Sequence, residues 1–461
     1  MNKLNAPLFL FLEGAVAVST QFIYLRQVIP HVGSSVIVTS VVISFFLAAL
    51  AAGYKFGGNV SKMHDIKLSK NLLTAGILLS ITASTFFADA IFQLSNGDPT
   101  LNTLVILPLY LIVGMMPVVY LLGQTIPLLI NYIDENQTAS EKGGDALFFS
   151  TIGNVVGGLV STVILMYVFG VGATILINSI ALIVLSIMLN KRDVETILKI
   201  SFAMVIPIMI YVSYDLNRYV HTNAYANYEV AHMQDSKKNG KYFLLNNSYA
   251  SKIDDEGSSF AYIEFIKKMM FEIYNLHKKE ILVLGAGGFS LSWQLNNNEN
   301  HFTYVDIDPN IVKVASRYFL PDQKVKGSFV ADDARAFLKS RPEDKWDAIL
   351  IDLYSSKYDS PWHLSSRQFF LEVKSHLKPE TMVFINVLTR TNFSSEYSRN
   401  LDSTIRASFD FCTANFVSTK NVIEPETINI AYTCFANEIK PKIYVDDNTR
   451  LSVDNFLEKN L

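Results

Sequence analysis

The chain has 461 residues, of which 50% are hydrophobic and 18% are charged. Its net charge of −3 and mean hydropathy of +0.25 exclude a basic nucleic-acid-binding protein and an ordinary soluble enzyme. These averages combine two regions, because charges are sparse up to about Tyr214 and evenly spread from Asp215 onward. We therefore predict a transmembrane domain over residues 1–214 and a water-soluble part after it.

About seven apolar runs in the first region are long enough to cross a bilayer, which takes roughly 20 residues. Glu13 interrupts the first run and further runs follow, so we do not interpret it as a removable signal peptide. The fourth run contains Pro108, Pro117 and Pro127 and is also compatible with a hairpin, which would make the count eight. We predict a multi-pass protein of the cell (inner) membrane, with spans near residues 7–27, 35–57, 72–94, 103–132, 147–169, 172–190 and 196–214.

Basic residues follow the second and the sixth run, and short loops rich in Lys and Arg favour the cytoplasm. Both loops lie on the same side of the bundle, so we expect that side and the N-terminus to be cytoplasmic. Seven spans place the C-terminal part outside and eight place it inside, which leaves its side open. The residues concerned are Lys55, Lys62, Lys67, Lys70, Lys191 and Arg192.

Several polar side chains fall within the apolar runs, where hydrocarbon penalises a polar group that has no partner. We interpret them as groups that hydrogen-bond neighbouring helices, with a polar pocket or a substrate path as the alternative. Gly153 and Gly157 lie four residues apart and predict close helix packing. The polar residues are Glu13, Gln21, Asp89, Gln124 and Asn154.

The second region divides near residue 280. Residues 215–279 are rich in strand-like patterns, whereas residues 280–461 alternate strand-like and helix-like segments. Apolar strands joined by helices predict a parallel, doubly wound sheet, and such sheets bind ligands beyond the carboxyl ends of their strands. The predicted strands lie in ILVLG, FTYVDID, SFVA, WDAILIDLY and TMVFINVL.

A glycine-rich turn follows the first of these strands. Gly285, Gly287 and Gly288 are expected to precede a helix and to let a nucleotide approach the backbone closely, although a simple tight turn has the same pattern. Asp306 ends the next strand, where a carboxylate accepts hydrogen bonds from both ribose hydroxyls, and Asp332 follows the third strand, where it can bind an adenine amine. Three strand ends with compatible groups predict adenosine binding.

Acidic residues near these strand ends have an alternative role as helix N-caps, which applies above all to Asp308 and Asp333. Asp352 ends the fourth strand, in ILIDLYSS. We interpret it as a carboxylate that orients and deprotonates an attacking amine. Capping of the following loop is the alternative.

Taken in order, these blocks resemble the spermidine synthase family of polyamine aminopropyltransferases, and the membrane half resembles that of membrane-fused members. The similarity covers about residues 225–440. It rests on YANYEVAHMQDSKKNGKYFLLNNSYASKIDDEGSSFAYIE, ILVLGAGG, VDIDPNIVKVASRYF, DDARAFL, WDAILIDLYS and HLSSRQFFLEVKSHLKP, and for the membrane half on FLEGAVAVSTQFIYLRQVIPHVGSSV.

The resemblance implies a fold and a reaction. The fold is a multi-pass α-helical membrane domain followed by an α/β Rossmann-like domain of the class I methyltransferase type, with a small N-terminal β-hairpin region. Decarboxylated S-adenosylmethionine, or S-adenosylmethionine, is the expected co-substrate, with no tightly bound cofactor, and a diamine such as putrescine is the expected acceptor. The implied roles are ribose binding for Asp306, adenine binding for Asp332, catalysis for Asp352, and amine binding for Tyr262. We also count Asp333 among the expected cofactor-binding residues.

Three positions depart from the family pattern. Gly288 stands where the family has an aspartate that holds the amino end of the donor, and Ala250 replaces a glutamine. Ser355 replaces the second acid of a D-x-x-D motif, for which Asp359 is a displaced substitute. Two alternatives therefore stay open: a methyl or alkyl transferase that uses S-adenosylmethionine, and a catalytically silent sensor or transport partner that binds a polyamine or a nucleoside.

The two cysteines, Cys412 and Cys434, flank a predicted C-terminal hairpin at nearly equal distances from its turn. A disulfide is compatible with this placement in an oxidising compartment, but we favour two buried free thiols. The sequence has no metal-binding motif. The expected partners are a polyamine or other amine and the lipid bilayer, with no nucleic acid and with a homodimer left open.

Overall fold

The chain folds into a helical bundle, a four-stranded antiparallel sheet and a seven-stranded mixed sheet. In the computed structural model, the residues described are 5–59, 64–95, 101–130, 138–189, 214–215, 217–235, 238–293, 299–321, 324–354, 362–390, 393–417 and 427–436.

The bundle forms one continuous apolar core. By length and composition, four helical segments are apolar enough to cross a membrane, or five if one bent pair of helices counts as a span. The helices are α1 (Asn5–Val32), α2 (Val36–Gly58), α3 (His64–Thr82), α4 (Thr85–Phe92), α5 (Asn102–Ile130), α6 (Ala139–Leu159, continued as a π-helix over Val160–Phe169) and α7 (Gly170–Leu189).

The long segment formed by α6 and α7 turns back on itself at Gly170, which has a φ of 83°. Gly157 packs directly on Ala15, and the side-chain amide of Asn178 donates to the Ser19 hydroxyl at 2.6 Å. A straight helix would separate Gly157 from Asn178 by about 30 Å, yet their partners lie about one turn apart in α1. This segment therefore supplies two passes, which agrees with the predicted break between 169 and 172.

Two other span predictions have different outcomes. The proline-rich run 103–132 forms one continuous helical segment, α5, in the described part, so the hairpin alternative is wrong. The predicted span 72–94 corresponds to two helices, since α3 begins at His64 and is bent by 61° relative to the helix that follows it, and the pair together is apolar enough to count as one candidate span. The predicted span 196–214 lies almost entirely outside the described residues.

The soluble part packs against one end of the bundle. Arg26 in α1 donates to the backbone oxygen of Asn223, and Arg218 forms an ion pair with Asp89. α2 begins beside this end and runs about 34 Å away from it, so Lys55 lies at the opposite end. Lys55 and the soluble part therefore lie at opposite ends of the bundle.

The smaller sheet has the order β1-β2-β3-β4 with antiparallel pairing. Its strands are β1 (His221–Thr222), β2 (Asn227–Asp235), β3 (Lys238–Leu245) and β4 (Ser248–Asp254). Helix α8 (Ala261–Lys267), which continues as a π-helix over Lys268–Ile273, connects it to the larger sheet. A turn at Asn246 and Asn247, both with positive φ, closes the β3–β4 hairpin, since asparagine tolerates this conformation.

The larger sheet has the order β10-β11-β9-β8-β5-β6-β7. Strand β11 pairs antiparallel with β10 and with β9, and the other pairs of neighbouring strands in this sheet are parallel. Its strands are β5 (Glu280–Leu284), β6 (His301–Asp306), β7 (Ser328–Ala331), β8 (Trp346–Ile351), β9 (Leu377–Arg390), β10 (Phe411–Val417) and β11 (Thr427–Phe435). The apolar runs of β5 and β8 are buried on both faces, as expected for central parallel strands. This confirms the predicted Rossmann-like fold of the methyltransferase type.

Helices pack on the sheet between its strands. They are α9 (Ile311–Val314, continued as a π-helix over Ala315–Phe319), α10 (Ala334–Ser340), α11 (Arg367–Ser375) and α12 (Glu396–Arg406). Phe319 and Phe369 are fully buried on these helices and contribute to two separate cores. The sheet is thus covered on both faces.

The favoured interpretation of the cysteines as free thiols is wrong. Cys412 in β10 and Cys434 in β11 are directly paired across the antiparallel strands, and they form a disulfide. The register of the predicted hairpin therefore brings the two side chains together, which the residue count alone left undecided.

Candidate active site

Three carboxylates lie at the carboxyl ends of parallel strands in the same part of the larger sheet. Asp306 is the last residue of β6, Asp332 follows β7, and Asp352 follows β8. Strand β5 lies between β6 and β8 and ends at the glycine turn, so all four strand ends open on the same edge of the sheet. The strand-end positions expected from the sequence are confirmed.

Asp352 is held by two neutral side chains. The Tyr262 hydroxyl donates to its Oδ2 at 2.9 Å, and the side-chain amide of Asn386 donates to its Oδ1 at 2.8 Å. Burial raises the pKa of Asp352, and these hydrogen bonds offset only part of that effect. A fixed carboxylate with a raised pKa is suited to accept a proton from a substrate.

Tyr262 reaches Asp352 from α8, which brings together two residues selected from the sequence. Burial, followed by the nearby charge of Asp352, holds the pKa of Tyr262 well above its usual range. The phenol therefore stays protonated and acts as a donor to the carboxylate.

Sequence reasoning missed Asn386 and Tyr354. Asn386 lies in β9, and Tyr354 donates to its backbone oxygen at 3.2 Å and accepts from the N–H of Leu388. A polar residue within the apolar strand MVFINVL was the available signal, because a buried amide in a strand needs a partner. The position of Asn386, opposite Asp352 on the neighbouring strand, depends on the pairing of β8 with β9.

Two glycines of the turn have positive φ. Gly285 has a φ of 92° and lies so close to the backbone oxygen of Asp352 that a Cβ would collide with it. Gly287 has a φ of 49°, and a Cβ at this position would lie 3.1 Å from the Oγ of Ser251 in the smaller sheet. The predicted helix after the turn is wrong for residues 286–293, which form successive turns, with Phe289 also at positive φ.

Gly288 is fixed by packing rather than by backbone angle. Its N–H donates to the Ser251 hydroxyl at 2.8 Å, and a Cβ at this position would collide with the ring of Phe319 and lie 2.8 Å from the Cβ of Ser251. The site of the family's aspartate is therefore filled by neighbouring side chains, and this turn excludes any side chain at position 288.

Asp306 faces the glycine turn. Its Oδ2 accepts from the N–H of Ala286 at 3.0 Å, and its Oδ1 accepts from the N–H of Asp308 at 3.1 Å. Burial raises the pKa of Asp306 to about 6, with the backbone hydrogen bonds acting in the opposite direction. The carboxylate retains lone pairs for further donors, because each oxygen accepts more than one hydrogen bond.

The two acids after β7 have different roles. The backbone N–H of Asp332 donates to the backbone oxygen of Asp306 at 3.0 Å, and its carboxylate lies 3.9 Å from Arg341. Asp333 caps α10 through its Oδ1, which accepts from two backbone N–H groups, and its Oδ2 lies 3.3 Å from His363. Capping thus occupies Asp333, as its alternative interpretation expected. The predicted amine-site residues Ser355 and Asp359 lie outside the described residues.

Residues 259–434 match the spermine/spermidine synthase domain. A polyamine aminopropyltransferase of Vibrio vulnificus is 25% identical over 214 residues, or 41% of this chain and 71% of that protein. A probable polyamine aminopropyl transferase of Bifidobacterium longum is 28% identical over 150 residues, or 32% of this chain and 33% of that one. The crystal structure of a probable spermidine synthase from Corynebacterium glutamicum is similar with a TM-score of 0.39 and 17% identity, covering 50% of this chain and 82% of that chain. The family match includes the three strand-end acids and none of the bundle.

Proposed function

Since residues 259–434 form a domain of the spermine/spermidine synthase family, we propose that the chain is a membrane-bound aminopropyltransferase of the spermidine synthase type. It transfers an aminopropyl group from decarboxylated S-adenosylmethionine to an amine such as putrescine. The observation that carries this proposal is the Asp352 carboxylate, held by Tyr262 and Asn386 beside the turn at Gly285.

In this proposal the nucleoside lies over the glycine turn. Asp306 accepts hydrogen bonds from the ribose hydroxyls, and Asp332 accepts one from the adenine amine. Gly285 and Gly287 allow the ligand to approach the backbone, which agrees with their positive φ and with the absence of a Cβ there. The sulfonium then lies near the carboxyl end of β5, within reach of Asp352.

The amine nitrogen attacks the methylene carbon next to the sulfonium, and a new C–N bond forms as the C–S bond breaks. The sulfur takes the bonding electron pair and leaves as neutral methylthioadenosine. Asp352 takes the proton that the amine loses. Most of the rate acceleration comes from holding two reactants in line, and proton transfer to Asp352 supplies the general-base part.

A second proposal is methyl or alkyl transfer from S-adenosylmethionine. One observation favours it: Phe319 and Ser251 exclude a carboxylate at position 288, which in the family pairs with the ammonium end of the decarboxylated donor. A desolvated ammonium without a counter-charge costs a few kcal/mol. The two proposals share the nucleoside site and differ in the tail of the donor.

The experiment uses the full chain purified in detergent, with each donor tested against a panel of amines. Release of methylthioadenosine from the decarboxylated donor supports aminopropyl transfer, whereas release of adenosylhomocysteine from S-adenosylmethionine supports methyl transfer. Measurable nucleoside or polyamine binding with neither product indicates a silent sensor or transport partner and contradicts both proposals. The Asp352→Asn protein is the matched inactive control.

We also propose that the bundle is embedded in the lipid bilayer with the soluble part outside the cytoplasm. Lys55, in the last turn of α2, and the soluble part lie at opposite ends of the bundle, and basic residues next to short loops favour the cytoplasm. The Cys412–Cys434 disulfide agrees with an oxidising compartment.

This orientation is testable with single introduced cysteines, because both native cysteines are oxidised. Lys278→Cys lies on an exposed turn of the soluble part, and Lys67→Cys lies at the exposed start of α3 at the other end. A membrane-impermeant maleimide is expected to label position 278 but not position 67 in intact cells with a permeable outer envelope. Labelling at position 67 alone would reverse the orientation.

A further inference from the structure

Arg26, near the end of α1, is a buried guanidinium that reaches out of the bundle into the soluble part. It is 4% exposed, its Nε donates to the backbone oxygen of Asn223 at 3.1 Å, and its Nη2 donates to Oδ1 of Asn227 at 3.0 Å. Its Nη1 is buried without a hydrogen-bond partner. Both partners are neutral, so among the described residues no carboxylate forms an ion pair with this guanidinium.

Asn223 continues the contact to Asp308, which is 2% exposed. The Asn223 side-chain amide donates to Oδ2 of Asp308 at 2.6 Å, and the Tyr228 hydroxyl donates to the same oxygen. Within the described chain, Asp308 forms no ion pair with a Lys or Arg. Its backbone N–H donates to Oδ1 of Asp306 at 3.1 Å. Hydrogen bonds therefore run without a break from α1 to the carboxylate that faces the glycine turn.

Arg26 and Asp308 are buried opposite charges joined through one residue, Asn223, whose backbone oxygen accepts from Arg26 and whose side-chain amide donates to Asp308. Removing one partner of such a pair leaves the other charge uncompensated, which is strongly unfavourable in a buried position. Because Asp308 donates to Asp306, a rearrangement of the turn after β6 moves the Asp306 carboxylate as well. A ligand site depends on such placement to within a fraction of an ångström.

A second contact joins the same two parts of the chain without touching this route. Arg218 pairs with Asp89 of α4, its Nε donates to Glu229 at 3.2 Å, and its Nη2 donates to Asn247 at 2.8 Å. Among the described residues, none of these partners forms a hydrogen bond or an ion pair with Asp306 or Asp308. Docking of the soluble part on the bundle therefore has its own ion pair, and Arg218 provides a matched control for Arg26.

We propose that Arg26 is a positioning residue of the nucleoside site: the membrane helix α1 supplies the charge that fixes Asp308 through Asn223 and so places the Asp306 carboxylate for ribose. This inference rests on the proposed function, since it gives Asp306 a nucleoside to bind. It makes the helical bundle part of the binding site as well as its support.

The test measures binding of methylthioadenosine to the full chain in detergent by calorimetry, together with KM and kcat for the donor. Arg26→Gln is expected to weaken nucleoside binding about tenfold and to raise the KM of the donor equally, with a much smaller change in kcat. Arg26→Lys, which keeps the charge, recovers part of the affinity. Arg218→Gln lowers thermal stability but leaves nucleoside affinity within about twofold of the wild type, because its partners lie off this route.

Asn223→Asp cuts the same route at a second point. Its Oδ1 still accepts from the N–H groups of Tyr225 and Ala226, and its backbone oxygen still accepts from Arg26, but a donor to Asp308 becomes an acceptor. This substitution is expected to weaken nucleoside binding at least as much as Arg26→Gln. If the Arg26→Gln protein does not fold, the affinity of the Asn223→Asp protein tests the inference instead.

Two results overturn the inference. One is wild-type affinity in Arg26→Gln and Asn223→Asp, and the other is an equal loss in Arg218→Gln, which would assign the effect to docking in general. If the wild-type chain itself does not bind methylthioadenosine, the proposed function fails and this inference fails with it. If the wild-type chain binds methylthioadenosine and both Arg26→Gln and Asn223→Asp bind it equally well, only the inference about Arg26 is overturned and the proposed function stands.

Discussion

Strand β8 carries one carboxylate at each end, and the two have opposite surroundings. At its carboxyl end, Asp352 accepts hydrogen bonds from the neutral groups of Tyr262 and Asn386, and burial raises its pKa. At its amino end, Asp347 accepts from the Lys378 ammonium at 2.7 Å and lies 3.4 Å from the Lys279 ammonium. Burial acts to raise the pKa of Asp347 too, but Lys378, the N–H of Glu280 and Lys279 outweigh it and lower that pKa.

The two surroundings give the two carboxylates of one strand different proton affinities. A carboxylate paired with ammonium groups is held in its charged form and has little tendency to take a proton, whereas a buried carboxylate with neutral donors retains proton affinity. The two ends follow the general arrangement of open α/β sheets, in which ligands bind beyond the carboxyl ends of the strands. Substitutions at the two ends are therefore expected to affect different properties.

The largest expected effect comes from exchanging each acid for its amide. Asp352→Asn keeps the shape of the side chain but cannot accept the proton, so we expect kcat to fall by about a thousandfold with an unchanged melting temperature. Asp347→Asn is expected to keep kcat within about twofold, since it lies far from the ligand edge. Activity assays and thermal melts of both proteins check this. Full activity in Asp352→Asn would remove that residue from the mechanism.

A smaller effect is expected from Tyr262→Phe, which removes one of the two neutral donors. The Tyr262 hydrogen bond lowers the pKa of Asp352, so its loss raises that pKa further. We expect about a tenfold loss of kcat/KM and a shift of the acid limb of the pH profile to higher pH. Tyr354→Phe is the control, because its hydroxyl bonds the backbone of β9 rather than Asp352. An acid limb that stays in place in Tyr262→Phe would contradict the assignment of that limb to Asp352.

The sequence predicted the parts of the site that depend on local pattern. Asp306, Asp332 and Asp352 were found because apolar strands followed by an acid are visible in one dimension. Asn386 was missed, because its role depends on the pairing of β8 with β9. The helix expected after the glycines was wrong for residues 286–293, which form successive turns. The residues that fill the space beside Gly288, Phe319 and Ser251, come from distant parts of the chain.

The two halves of the molecule differ in the same way. Apolar length predicted several helical segments of the bundle and the break near Gly170, whereas it did not predict the 61° bend after α3. The disulfide also required a register, because spacing alone fits both a bridge and free thiols. Contacts such as Arg26 with Asn223, which join residues about two hundred positions apart, have no signal in the sequence.

A third acid, Asp306 at the end of β6, is also held by neutral donors, and its pKa is raised to about 6. Ribose hydroxyls donate to the ionised form, so nucleoside affinity is expected to fall as the pH drops through 6. We expect the Kd for methylthioadenosine to be about fivefold higher at pH 5 than at pH 7.5. Calorimetry at the two pH values measures it, and Asp306→Asn is expected to bind weakly at both. If the wild-type affinity is the same at both pH values, Asp306 does not bind the ribose.

The smallest effect is expected at the other end of β8, where Asp347→Asn leaves Lys378 without its carboxylate. Because the folded-state pKa of Asp347 lies below its unfolded value, its contribution to stability is present above the ordinary Asp pKa of about 3.9 and is lost as the pH falls. Both lysines are partly exposed, so solvent screening limits the contribution to about 1 kcal/mol, or a shift of a few degrees in melting temperature. Thermal melts at pH 7 and near pH 3 check this, with Asp410→Asn as the control, because the Asp410 carboxylate, which pairs with Lys374, is more exposed than that of Asp347. We expect the Asp347→Asn difference to be present at pH 7, to shrink toward pH 3, and to exceed that of Asp410→Asn. A difference that grows on acidification would mean that Asp347 is held in its neutral form, like Asp352, and the contrast between the two ends of the strand would be lost.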